Sequence, residues 1–106
     1  MWILESTNPQ HRLLFRLLPD SVKTVGRASR ADFVVDAALV SRLHCRVTLD
    51  TQDRLDVEDL GSTNGTWVNG RKVAKAPLLA GDRLKVGRVE FAVRPAADAG
   101  MEATAP

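Results

Sequence analysis

The chain has 106 residues, 44% of them hydrophobic and 26% charged, and carries a formal net charge of +2. That length suits one domain with one core, and the composition is that of an ordinary soluble globular chain. A collagen-like or wholly disordered chain is excluded, and no apolar run approaches the roughly 20 residues of a bilayer crossing.

Trp2-Ile3-Leu4, Leu13 to Leu18 and Val22 to Val25 read as short strands, punctuated by Asn8-Pro9 and Pro19-Asp20. Ala37 to Arg46 has some helical propensity, but alternation takes over at Leu43, so it reads as a loop entering a strand. From there Leu43, Cys45, Val47 and Leu49 alternate with His44, Arg46 and Thr48, a period of two. Arg54 to Glu58 repeats the alternation after turn residues at Asp50 to Asp53. Asn69-Gly70 separates Thr66-Trp67-Val68 from Arg71-Lys72-Val73, a two-residue hairpin signal whose central residues tolerate positive φ. Gly87-Arg88 separates Leu84/Val86 from Val89/Phe91/Val93 in the same way. Many short strands at close spacing predict an all-β fold, an antiparallel β-sandwich of two twisted sheets. Residues 1–94 form the expected domain. From Pro95 to Pro106 the chain is rich in Ala and Pro with little to bury, and is expected to be a flexible linker to further sequence.

Three polar segments fall at strand ends: Gly26-Arg27, Ser41-Arg42-Leu43-His44, and Asp59 to Gly70. Strand ends gather at the edges of a sandwich, so these loops are expected to converge. Arg27 and Ser41 supply a guanidinium fork and a hydroxyl donor. Arg42 adds a second charge or its backbone N–H, and Thr63 and Asn64 supply a hydroxyl and an amide. Taken singly, Arg27 also reads as a solvated arginine after a turn glycine, Ser41 as a hydroxyl bonding its own backbone, and Thr63 and Asn64 as turn builders. Arg30 and Arg71 are further cations expected near this end. Ser41 and His44 lie three apart, but no orienting carboxylate or G-x-S-x-G elbow accompanies them, so a nucleophile and base are not read here. His11, His44 and Cys45 are too few and badly spaced for a metal site. Cys45 sits on the apolar face as a small core residue, and Trp2 and Trp67 read as core or edge packing.

Gly26-Arg27, then Ser41-x-x-His44, then Asn64-Gly65-Thr66-x-Val68-Asn69-Gly70, then Leu79-Ala80-Gly81-Asp82 resemble, in that order, the forkhead-associated (FHA) domain. The resemblance covers about Leu13 to Val93. It implies a sandwich whose loops at one end bind phosphothreonine peptides. Arg27 and Ser41 would hold the phosphate, Arg42 would assist, Thr63 would shape the site, and Asn64 would hold the peptide backbone. Gly26, His44, Gly65, Asn69 and Gly70 would support the site, His44 by bracing Ser41. Residues near Leu39, Val40 and Asn69 to Lys72 would read neighbouring peptide positions, and the apolar Leu39 and Val40 predict an apolar preference three residues after the phosphothreonine.

The expected function is a non-catalytic phosphothreonine reader, an adaptor in Ser/Thr kinase signalling, with bacterial signalling or secretion as one setting. The alternative is a phosphate-independent scaffold or oligomerisation module of the same family. An enzyme is disfavoured for want of paired carboxylates or an activated nucleophile. No cofactor or metal is expected, and the partner would be a phosphothreonine-containing protein such as a Ser/Thr kinase or its substrate. Nucleic acid, membrane and stable self-association are not expected, although Thr7 or Thr104, if phosphorylated, would offer a route to self-recognition. The single cysteine and the absence of a basic-then-apolar start lead to an expected cytoplasmic location.

Overall fold

The structure, a computed structural model, describes residues 1–10 and 12–96. His11, Thr104 and nearly all of the expected linker lie outside the described residues. The strands are β1 (Trp2–Ser6), β2 (Leu14–Leu17), β3 (Ser21–Gly26), β4 (Phe33–Val34), β5 (Cys45–Leu49), β6 (Leu55–Asp59), β7 (Thr66–Val68), β8 (Arg71–Val73), β9 (Lys75–Leu78), β10 (Arg83–Val86) and β11 (Val89–Pro95). One sheet runs β2-β1-β11-β10-β7-β8 and the other β4-β3-β5-β6-β9. This is the two-sheet sandwich the periodicity predicts.

The period of two decides what is inside. Cys45, Val47 and Leu49 of β5 and Leu55 and Val57 of β6 are buried. They share one core with Leu84, Val86, Phe91 and Val93 of the other sheet. Each such Val, Leu or Phe side chain contributes about 1.5–3 kcal/mol on full burial. Phe15 of β2 stacks on Phe33 of β4 with ring centroids 4.5 Å apart. That contact joins the edge strand of one sheet to the edge strand of the other.

The chain changes sheet at Ala74, between β8 and β9, where the Ala74 carbonyl accepts the Asp59 N–H at 2.8 Å. Asn69 and Gly70 have φ of 50° and 81°, as the two-residue hairpin requires. In the second hairpin Gly87 alone takes a positive φ, 58°.

Two strands were not expected. β4 is only two residues long and pairs with β3 in parallel, so no alternation announces it. β9 contains Pro77, which argues against a strand, yet it pairs with β6 at the end of its sheet, where a missing N–H is tolerated. At the C-terminus β11 continues through Pro95, and buried Ala96 donates its N–H to the Met1 carbonyl at 2.8 Å. The strand therefore runs one residue past the expected boundary at 94. His44 departs from the alternation: the pattern puts it on the outer face, but it is fully buried because two loops close over it.

Candidate functional site

The loops 27–32, 35–44 and 60–65 meet at one end of the sandwich, and backbone hydrogen bonds lace them together. The Arg27 N–H donates to the Ser41 carbonyl (3.0 Å) and the Ala28 N–H to the Arg42 carbonyl (3.1 Å). The Leu60 N–H donates to the His44 carbonyl (3.0 Å). Gly26 permits this approach: a Cβ there would stand 2.0 Å from the Arg42 carbonyl oxygen. Any side chain at position 26 forces the two loops apart.

His44 is the internal brace. Its Nδ1 accepts the Ser41 N–H at 3.0 Å, and its Nε2 donates to the Gly65 carbonyl at 2.7 Å. A backbone amide only donates and a carbonyl only accepts, so the two partners select the Nε2–H tautomer. One ring thus ties the loop carrying Ser41 to the loop carrying Asn64.

A cleft of about 430 Å³ opens above this brace, lined by Arg27, Asp36 to Ser41, Thr63 and Asn64. The exposed Arg27 is steered by its Nε, which donates to the Val40 carbonyl at 3.1 Å. None of the hydrogen bonds among the described residues engages its two Nη groups. Ser41 Oγ accepts the Thr63 N–H at 3.1 Å, which leaves its own O–H proton as a donor for a ligand. Asn64 Nδ2 donates to the Leu39 carbonyl at 3.1 Å, and Leu39 holds an uncommon φ of 69°. The arrangement offers a fixed guanidinium, a free hydroxyl and an amide to one small anion with a short peptide beside it.

Arg27, Ser41, Thr63 and Asn64 are thus brought to one cleft. Arg42 is exposed at its margin and does not line it. Gly65, at φ 87°, ends the Asn64 loop. Asn69 and Gly70 lie at the other end of β7, where Asn69 Nδ2 donates to Asp82 Oδ1 (3.0 Å) and Asn69 Oδ1 accepts the Arg83 N–H (2.9 Å). They brace two far-end turns and make no contact with the cleft. Arg71 follows that hairpin and so is not part of the loop-end cluster. Val40 turns into the core, at 3% exposure, whereas Leu39 is 46% exposed, so an apolar peptide contact rests on Leu39. Thr7 is exposed and its hydroxyl donates to Glu90 Oε1. Trp2 is a core residue, while Trp67 lies on the outer face with its Nε1 donating to the Asn64 carbonyl at 3.1 Å.

The sequence reading missed the support beneath the Asn64 loop. Asp59 Oδ1 accepts the hydroxyls of Ser62 and Thr66 (2.8 Å for Thr66), and Oδ2 accepts the Gly61 and Ser62 N–H groups (3.1 and 3.2 Å). Ser62 Oγ in turn accepts the Gly65 N–H at 2.9 Å. The signal was present as Asp-x-x-Ser, a pattern that bonds its own backbone in turns. Burial opposes the charged form of Asp59, but the hydroxyl and amide donors outweigh it and hold its pKa below the ordinary 3.8.

A carboxyl with a lowered folded pKa stabilises the fold above its unfolded value, and that stability is lost as pH falls through the folded value. Urea midpoints of the native protein are therefore expected to drop below about pH 3.8. In Asp59→Asn the drop should be shallower, from a lower plateau at neutral pH. An identical profile for both proteins would remove Asp59 from the acid response.

Cys45 next to this network is fully buried, and burial, with the Asp59 charge, pushes its thiol up to about 12. Such a thiol is inert at neutral pH. Among the described residues no group of three His, Cys, Asp or Glu can hold a metal ion, and no helix is long and apolar enough to cross a membrane.

Known proteins resemble this chain in sequence and in fold. The chain is 36% identical over 72 residues to the glycogen accumulation regulator GarA of Mycobacterium tuberculosis, covering 68% of this chain and 44% of that protein. It therefore spans less than half the length of that curated relative. The FHA domain of the CT664 protein of Chlamydia trachomatis matches the structure with a TM-score of 0.84 at 27% identity, over 89% of this chain and 96% of the other. The N-terminal FHA domain of Saccharomyces cerevisiae Rad53p, solved in complex with a phosphothreonine peptide, matches with a TM-score of 0.76 at 25% identity, over 88% and 91%. The family model of the FHA domain matches residues 23–87, and the chain belongs to that family.

Proposed function

We propose that this chain is a non-catalytic reader of phosphothreonine, an adaptor that binds a protein marked by a Ser/Thr kinase. The observation that carries the reading is the pairing of Arg27 and Ser41 across one cleft. Each is held by a protein partner through one atom, and each keeps its other donors for a ligand. A phosphothreonine brings about −1.5 to −2 charges and three acceptor oxygens, which match a guanidinium fork and a hydroxyl. Asn64 beside them is suited to a peptide backbone, and Leu39 to an apolar neighbour in the peptide. The Rad53p domain, which shares this fold, was solved in complex with a phosphothreonine peptide, and that supports the choice of ligand. The roles of Arg27, Ser41, Arg42, Thr63 and Asn64 belong to this proposal. So does a cytoplasmic setting, which suits a kinase-written ligand and a reduced, buried Cys45.

Anisotropy titration with a degenerate phosphothreonine peptide pool, its phosphoserine counterpart and the unphosphorylated pool tests the reading. Binding of the phosphothreonine pool is expected at least about 100-fold tighter than of the unphosphorylated one, since bonds to a charged partner contribute about 1.5–3 kcal/mol each. The phosphoserine pool should be several-fold weaker, because one buried methyl is worth about 0.8 kcal/mol. Equal binding of phosphorylated and unphosphorylated pools would overturn the reading and favour a phosphate-independent scaffold.

A further inference from the structure

We propose that Lys72, Trp67 and Lys85, a row across the outer face of the six-stranded sheet, form a second reading surface for acidic residues flanking the phosphothreonine. The proposal rests on the phosphothreonine reading of the cleft and says what the ligand carries beside its phosphate.

Three observations place the row at the edge of the cleft. Trp67 pairs with Lys72 on one side and with Lys85 on the other. Cross-strand partners hold their Cβ atoms about 4.5–5.5 Å apart, so the two ammonium stems flank one indole. The Trp67 Nε1 bond to the Asn64 carbonyl ties that indole to the loop that closes the site. The Lys72 side chain passes over the neighbouring residue: a Cβ on Gly65 would stand 2.7 Å from Lys72 Cε.

The charges of the row are also unspent. Neither lysine takes part in an ion pair among the described residues, where the pairs are Arg46–Glu58 and Arg94–Glu5. Lys85 does face a carboxylate, Glu90, across β11, and that group accepts the Thr7 hydroxyl. Lys72 lies on the edge strand β8 with no strand beyond it. Arg83 extends the positive charge along β10. On the other outer face the Arg46 charge is spent, because Arg46 is paired with Glu58. A peptide leaving the phosphate cradle over Asn64 therefore crosses a strip with a flat aromatic and two free cations. Such a strip favours Asp or Glu in the ligand.

The test uses three phosphothreonine pools: one neutral, one with glutamates fixed before the phosphothreonine, and one with glutamates fixed after it. One of the two acidic pools is expected to bind about three- to tenfold tighter than the neutral pool at low salt, with the advantage shrinking as salt is raised. In the double variant Lys72→Gln/Lys85→Gln that advantage should vanish, while the neutral pool stays within about twofold. Arg54→Gln, at the opposite end of the sandwich, should keep it. No advantage for either acidic pool, or an advantage that survives the double variant, overturns the proposal and leaves the cradle standing. Failure of all three pools to bind overturns the cradle, and the second surface falls with it. Tight binding of a single-stranded DNA oligomer that is lost in the double variant would assign the row to nucleic acid and overturn the acidic-peptide reading.

Discussion

Arg27→Ala is expected to abolish phosphopeptide binding while leaving the fold nearly intact. Of the Arg27 side chain the folded protein uses only the Nε, in a part-buried bond to the Val40 carbonyl. Its loss costs about 0.5–1.5 kcal/mol, the size of a typical single substitution. The ligand, in contrast, would take both Nη groups. Removing one member of a desolvated, hydrogen-bonded charge pair costs about 2–5 kcal/mol, or roughly 30- to several-thousandfold in affinity. Arg27→Lys should fall between native and alanine, because a lysine keeps the charge but supplies neither the fork nor the Nε bond that aims it. Titration of one phosphothreonine peptide against the three proteins, with urea melts in parallel, checks both halves. If Arg27→Ala unfolds the domain, the arginine is structural. If it binds normally, the phosphate is held elsewhere.

The outcome separates two kinds of legibility. That Arg27, Ser41, Thr63 and Asn64 would share one cleft was readable because each is a polar residue in a loop next to a strand, and such loops gather at the ends of a sandwich. The Asp59 network was not readable. Asp59 ends the alternation of β6, and Thr66 looks like any strand threonine. Only the meeting of the two sheets at that end brings their side chains to 2.8 Å. Asn69 and Gly70 show the complementary failure: their turn chemistry was plain, but their place was not. They follow Asn64 closely in sequence, yet a strand of three residues is enough to carry them to the opposite end. Arg71 was misplaced for the same reason. β4 and β9 escaped because one is too short to alternate and the other carries a proline that only an edge strand accepts. In the row of Lys72, Trp67 and Lys85, the Asn69-Gly70 hairpin sets Trp67 opposite Lys72, but the pairing of Trp67 with Lys85 joins strands distant in sequence, which no local pattern specifies.

His44→Ala should produce the opposite phenotype to Arg27→Ala, a loss of stability from which the loss of binding follows. The ring is fully buried and makes two hydrogen bonds, from the Ser41 N–H and to the Gly65 carbonyl. Deleting it strands both backbone groups, each at about 1–3 kcal/mol, and adds a cavity cost. The sum, about 3 kcal/mol or more, is a large share of the 5–15 kcal/mol that typically holds a domain together. At about 4–8 °C per kcal/mol for a domain of this size, melting should fall by roughly 12 °C or more. His44→Asn discriminates bracing from mere filling. Its Oδ1 stands near the former Nδ1 position and can accept the Ser41 N–H, but its amide does not reach Gly65. Part of the stability should return, and binding should return with it, because Ser41 is re-seated while the Asn64 loop remains loose. Equal melting temperatures for the alanine and asparagine variants would show that His44 serves by volume alone. A native melting temperature for His44→Ala would remove the brace altogether and leave the juxtaposition of Ser41 and Asn64 to the backbone bonds between their loops.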